Sequence, residues 1–282
     1  MSAPLPEAPP TEIRYRRGLT FGRSFRALWK ARHVAVNLGI REIRVRYNQA
    51  VLGFAWALLT PVVLMIVFSV FIGKASGIHV ATHGTAYPVF LYTGLLAWTF
   101  FSSAVSSAGG ILISNPLLNK VYAPREVFPL ATIGTSAVDG AAATVVLGVL
   151  FVIFGDWPQP TSVWAPLLIL ILFAYTVGVG LTFAALTVYL RDLRQALPLM
   201  LQVGLFATPV IYGLNKIPEA WREVYIFVNP VAMVITELRE TVLWGHAPNL
   251  TYLAIGATSA VITLLVGYGL FKRLETGFAD VS

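Results

Sequence analysis

Six stretches of about twenty apolar residues constrain this chain more than any other feature of it. They cover residues 51–73, 87–113, 127–154, 164–190, 196–214 and 252–271. Each is close to the length at which a helix crosses a hydrocarbon layer ~30 Å thick. Asp139 is the one Asp, Glu, Lys, Arg or His in all six. With no water in the layer to bond to, the backbone of such runs has to satisfy itself, and a helix does that within one segment. The expected fold is therefore all-α and membrane-integral, with six transmembrane helices. Pro198 and Pro209 should kink the fifth, which is also the shortest. Composition agrees: 12% charged residues is about half the share of a soluble domain.

Orientation follows from the twenty Lys and Arg, because basic residues in short loops resist translocation. With the N-terminus inside, sixteen fall on the inner side, ten of them before Val51, against Lys74, Lys216, Arg222 and Arg239 outside. Both termini are thus expected in the cytosol of a multi-pass protein. The net charge of +7 is mostly this topology signal and next an attraction to anionic membrane lipids, so it calls for no nucleic acid. There is no cysteine, and the four histidines are scattered, so neither a disulfide framework nor a metal site is expected.

Residues 1–18 are polar and Pro-rich without a signal-peptide core, and read as a disordered cytosolic tail. Over residues 19–50, Phe21, Phe25, Leu28, Val36, Ile40, Ile43 and Tyr47 recur at helical spacing among Arg and Lys, the pattern of an amphipathic helix on the inner leaflet. Its arginines have two readings, an anchor on lipid phosphates or a capture site for a phosphorylated lipid. Arg41, Arg44, Arg46 and Tyr47 stand just before the first run, where such a headgroup would enter.

Two loops carry more. Residues 114–130 are long enough for a short cytosolic helix bounded by Pro116 and Pro124, with Leu117, Leu118, Val121 and Tyr122 beside Lys120 and Arg125. Apolar residues there fit a protein partner or packing on the chain's own bundle. Residues 215–250 are too polar in their centre and ends to span, yet contain a stretch of apolar residues broken at Asn229-Pro230. That pattern predicts two short helices dipping into the outer leaflet, a re-entrant hairpin between the fifth and sixth spans.

The stretches RYNQAVLGFAWALLTPVV, NPLLNKVYAPREVFPLA, YLRDLRQALPLMLQVGLFATPVIY and FVNPVAMVITELRETVLWG occur in this order. Together they resemble the successive signatures of ABC-2 type permeases that export polysaccharides, the membrane subunits of O-antigen, capsule and teichoic-acid transporters. The resemblance runs from about Arg26 to the C-terminus, with residues 51–282 as the transmembrane domain. It implies a homodimer in the bacterial cytoplasmic membrane, docked on a separate subunit that binds ATP and Mg. The cargo it implies is an undecaprenyl-type lipid-linked glycan moved from the inner to the outer face. It casts Asn115, Pro116, Leu117, Leu118, Lys120 and Tyr122 as the coupling helix on the ATPase. Arg41, Arg44, Arg46 and Tyr47 become the gate for the lipid headgroup, and Asn229 and Pro230 the outer gate. The Ala- and Arg-rich composition and long tail are similar to permeases that export galactan for arabinogalactan cell walls.

The residues themselves support a division of labour. The chain has no phosphate loop of the form Gly-x4-Gly-Lys-Ser/Thr, so it is expected to be a permease subunit and no enzyme, with no cofactor of its own. A proton relay wants several ionisable groups at membrane depth, and only Asp139 is there. With Gly134, Ser136 and Gly140 nearby, Asp139 reads either as part of a close helix contact or as a functional acid. Tyr92, Trp98, Phe100, Phe101 and Ser103 offer rings and hydroxyls that suit a glycan channel, and the same aromatics also fit an interfacial belt. Gly53, Gly178 and Gly180 read as packing glycines. The chief rival is an integral-membrane enzyme acting on a lipid-linked sugar. It would need a positioned acid or base, whereas the acids here mostly adjoin basic residues, as in Arg239-Glu240. A channel without a motor is a third reading, which the apolar loop at Leu117, Leu118 and Tyr122 disfavours.

Overall fold

The computed structural model describes residues 28–29, 31–47, 53, 55–71, 82–114 and 124–278. Every regular element among them is helical. In chain order these are α1 (Arg32–Tyr47), α2 (Ala55–Phe68), α3 (Tyr87–Ser114), α4 (Val127–Phe154), α5 (Ala165–Tyr189), α6 (Leu193–Ala207), α7 (Glu219–Val228), α8 (Pro230–Leu238) and α9 (Leu250–Glu275). A 3-10 turn, Pro160–Trp164, leads into α5, and a π-helical turn, Arg239–Leu243, follows α8. Four of the described helices are long and apolar enough to cross a membrane, and α2 and α6 are shorter apolar helices.

Contacts between loops sort the molecule into two ends. At one, Asp156 accepts from the Ala86 amide at 3.0 Å, Gln159 donates its amide proton to Val242 at 3.0 Å, and the Trp244 indole donates to Thr82 at 3.0 Å. At the other, Lys272 at the end of α9 lies 2.6 Å from the Glu126 carboxylate at the head of α4, and the Tyr189 hydroxyl donates to Leu274 at 2.8 Å. The second end carries Arg125, Arg191, Arg194, Lys272 and Arg273 and is called inner here, following the charge distribution.

The long helices stop where local chemistry stops them. Asp156 supplies an acceptor to the start of α3, whose first amides have no partner within the helix. Gly155 ends α4 at φ 73°, a left-handed conformation that glycine adopts without a Cβ penalty. Asn249 caps α9 by accepting from the amides of Thr251 and Tyr252 at 3.0 and 3.2 Å. Gly53 has φ 48°, so the residue read as a packing glycine instead serves a backbone turn before α2.

Helix contact is closest where side chains vanish. A Cβ on Gly178 of α5 would stand 2.6 Å from the Thr263 backbone of α9, and one on Gly267 would meet Gly178 in return. Gly180 likewise admits Ile133 and Ala108, so the expectation for Gly178 and Gly180 holds. Two apolar clusters form the interior: one toward the outer half around Phe90, Tyr92, Trp98 and Val234, the other toward the inner half around Ala108, Ile133, Leu181 and Phe271. Large apolar side chains remain exposed along α4, α6 and α9, among them Val145, Val152, Val203 and Val266. That is normal for a surface whose solvent is lipid.

Helix α6 runs beside α3, with Leu197 against Gly109 near the inner end and Gly204 against Trp98 toward the outer. Pro198 lies within α6 without ending it, and the helix stops before Pro209. Helix α1 packs along α4, placing Gly39 beside Ala131 and Thr135 and Arg46 at Asp139. It therefore leans up α4, where a helix lying flat on the headgroups was expected. Its apolar pattern also divides differently, since Leu38 and Ile43 turn partly inward while Val36 and Ile40 stay exposed.

Candidate functional site

Toward the inner half, α1 carries four residues expected to form one basic gate, and the helical repeat splits them. Arg41 and Arg44 are exposed, whereas Arg46, on the opposite side of the helix, faces the bundle, and Tyr47 beside it is partly buried. Arg46 Nη1 donates to Asp139 Oδ2 at 2.8 Å, and its Nη2 reaches Ser107 Oγ at 3.4 Å. Burial first, and then the adjacent Asp139 carboxylate, raise the Tyr47 phenol pKa. Asp139 thus finds an arginine from outside the apolar runs as its partner, while Gly140 beside it packs against Phe100 of α3. Ser103 and Ser136 add a hydroxyl pair at 3.4 Å between α3 and α4.

Closer to the inner end, the buried Glu126 carboxylate is held by Lys272 at 2.6 Å, and Lys272 also meets Glu275 at 2.9 Å. Desolvation raises the Glu126 pKa against the opposing pull of that lysine. The pair ties the head of α4 to the end of α9. The expected coupling helix, with Asn115, Pro116, Leu117, Leu118, Lys120 and Tyr122, lies outside the described residues. So does the tail of residues 1–18.

At the outer end the chain does break at Asn229-Pro230, as its sequence suggests. Asn229 Oδ1 caps α8 by accepting from Ala232 at 3.4 Å, its Nδ2 donates to Thr208 Oγ1 at 2.9 Å, and Pro230 takes the first helical position. The hydroxyls of Tyr212 and Tyr225 donate to Ala207, one of the last carbonyls of α6, which have no partner within that helix.

Arg239 completes this clamp and was not anticipated. Counted from sequence as an outer-loop cation beside Glu240, it is instead buried, at 2% exposure. Its guanidinium donates to the carbonyls of Phe90, Pro209, Val210 and Tyr212 and lies 3.6 Å from the centre of the Phe90 ring. Carbonyls just beyond the end of a helix, where its dipole is negative, and an aromatic face suit a planar cation with several donors. Glu240 pairs with His246 at 2.8 Å. The only sequence signal for this role was that Arg239 ends an apolar stretch too long for a surface loop.

Beside Arg239 a cavity of about 480 Å³ opens at the outer end. Glu237 is buried in its wall, accepts from the Asn249 amide at 2.9 Å, and has its pKa raised to about 7, chiefly by desolvation.

The five residues singled out on the second apolar run are mostly interior. Tyr92 is fully buried and donates to Ala143 at 2.9 Å, Trp98 packs on Gly204, and Phe101 stacks on Tyr175. Phe100 stacks on Phe173 and is partly exposed. Among the described residues no group of three or more His, Cys, Asp or Glu could hold a metal ion.

Residues 35–243 match the family described as ABC-2 type transporter. The chain is 28% identical over 260 residues to the O-antigen export system permease protein RfbA of Myxococcus xanthus, covering 92% of this chain and 98% of the relative. It is 27% identical over 243 residues to a protein of the same name from Klebsiella pneumoniae, covering 86% and 92%. To the polysialic acid transport protein KpsM of Escherichia coli it is 28% identical over 249 residues, covering 84% and 92%.

Proposed function

Because this chain belongs to the ABC-2 type transporter family, we propose that it is the membrane permease of an ATP-driven exporter that carries a lipid-linked polysaccharide from the inner to the outer face of a bacterial cytoplasmic membrane. The observation that carries this reading is similarity along almost the whole length to relatives named for O-antigen export and polysialic acid transport. Four long helices plus α2 and α6 would make six crossings, a count supported by the course of α6 along α3. Helices α7 and α8, broken at Asn229-Pro230, would form the re-entrant outer gate. Two copies of the chain would dock on an ATPase that binds ATP and Mg, through Asn115, Pro116, Leu117, Leu118, Lys120 and Tyr122.

In this reading the exposed Arg41 and Arg44 meet the lipid phosphates first, since a guanidinium binds phosphate in a bidentate fork. Arg46 and Tyr47, engaged with Asp139, join them only when α1 shifts. Tyr92, Trp98 and Phe101 are packed inside one subunit, so Phe100, Ser103 and the faces between two subunits are the better candidates for the glycan path. Composition and the long tail favour a cell-wall galactan as cargo.

The test is co-purification of the tagged chain from its native membrane, with nucleotide hydrolysis measured. A stoichiometric ATPase partner, lost on changing Leu117, Leu118 and Tyr122 to Ser, is the expected result, along with full-length polymer accumulating inside cells that lack the chain. Isolation of the chain alone without hydrolysis, or shortened polymer in its absence, would favour the membrane enzyme instead.

A further inference from the structure

We propose that the cavity at the outer end is a binding subsite for a neutral sugar unit, formed within a single chain. Its volume of about 480 Å³ lies in the range of small-molecule sites. Its polar walls include His83 before α3, Asn215 after α6, Glu237 of α8, Glu240 and Trp244 of the π-helical turn and its end, and Tyr252 of α9. Structural duties leave free bonding capacity in these residues. One oxygen of Glu237 accepts from the Asn249 amide and one of Glu240 bonds His246, while the second oxygen of each has no hydrogen bond among the described residues. The Asn215 side-chain amide and the Tyr252 hydroxyl, which also line the cavity, make none among the described residues either.

Sugars offer hydroxyls that donate to carboxylates and amides, and C–H faces that lie on aromatic rings. The cavity supplies both kinds of surface. Its charge chooses among sugars. The two arginines in its wall are engaged, Arg239 with four carbonyls and Arg222 with Glu219 and the Ile217 carbonyl, which leaves two acids, an amide, a phenol and the His83 imidazole to meet a ligand. Glu240, and Glu237 wherever it is ionised, repel a sugar carrying its own carboxylate. The cavity adjoins the Arg239 clamp that holds the outer helices to α6, so an occupant touches the segment proposed as the outer gate. This inference rests on the polysaccharide reading above, and deepens it by naming a neutral unit and a place.

Since the chain contains no cysteine, Ala247→Cys puts a single thiol on the exposed rim of the cavity. The full chain carrying it, in lipid nanodiscs, is labelled with a charged maleimide in the presence of neutral disaccharides of galactose, glucose and mannose, or of digalacturonic acid. At least one neutral disaccharide should slow labelling threefold or more and digalacturonate should not. The protection should disappear on adding Tyr252→Ala or Asn215→Ala, whose unprotected labelling rates report an intact cavity. No protection by any neutral disaccharide, equal protection by digalacturonate, or protection that survives both changes overturns the subsite. Polymer export by cells expressing the unaltered chain is scored separately. Export with no protection sinks the subsite alone, whereas absence of export sinks the exporter reading.

Discussion

Arg46, one residue before the end of α1, donates at 2.8 Å to Asp139, which stands twelve residues inside α4. At 1.5 Å per residue that is about 18 Å along α4 from its inner end. The two side chains are unequally sheltered, Arg46 at 27% exposure and Asp139 at 13%. Removing either member should therefore have different consequences. Arg46→Met leaves a sheltered carboxylate with no cation and should cost about 2–3 kcal/mol. Asp139→Asn leaves an arginine that still reaches Ser107 and lipid phosphates, at a cost of about 1 kcal/mol or less. The double change should cost less than the sum, as measured by unfolding midpoints in detergent. Equal single effects that add would mean the pair is incidental.

Arg239 should tolerate no substitute. Lysine offers three donors from one point and cannot span the carbonyls of Phe90, Pro209, Val210 and Tyr212, so Arg239→Lys is expected to lose about 2–4 kcal/mol. Gly94→Ala should move the same way, because its Cβ would stand 2.5 Å from Arg239 Nη2. Thermal unfolding compares both with the unaltered chain. A wild-type midpoint for Arg239→Lys would contradict the clamp.

Glu237 gives the outer turn a pH dependence of definite sign. Its pKa in the folded chain is raised from 4.5 to about 7, so protonation is favoured by folding. Its contribution is full below about pH 4.5 and is lost as pH rises through 7, by at most about 3 kcal/mol. Amide exchange at Asn249, whose N–H it accepts, should accelerate across that window. In Glu237→Gln the acceleration attributable to this group should vanish; persistence of the full change would locate the titration elsewhere.

The contact of α5 with α9 should be intolerant of a single methyl group. Gly178→Ala pushes a Cβ into the Thr263 backbone, and a rigid backbone cannot yield as a side-chain tip can. Gly148→Ala, where a Cβ meets nothing within 4 Å, is the control and should be close to neutral. Similar yields of folded protein from both variants would refute this packing.

Much of the fold could be read in advance where one physical demand dominated. The runs at 87–113, 127–154 and 164–190 match α3, α4 and α5 to within a residue or so at nearly every boundary. A long apolar segment leaves its backbone no other way to bond. Asn229-Pro230 was legible for a similar local reason, since a capping side chain followed by a residue without an N–H restarts a helix. Arg239 was not legible, because a charge in a short polar stretch ordinarily means exposure. Its carbonyl partners lie from 27 to 149 positions away.

The sequence by itself determined that this chain carries membrane-crossing helices, where three of its long helices, α3, α4 and α5, begin and end, and which family it resembles. Each of these follows from local composition, spacing or charge. Tertiary structure alone decided that Arg46 leaves Arg41 and Arg44 to meet Asp139, that Arg239 is an interior clamp, and that elements remote in the chain line the outer cavity together. Those outcomes depend on groups remote in the chain meeting in a low-dielectric interior, where an unpaired charge is costly and the available partners select the arrangement.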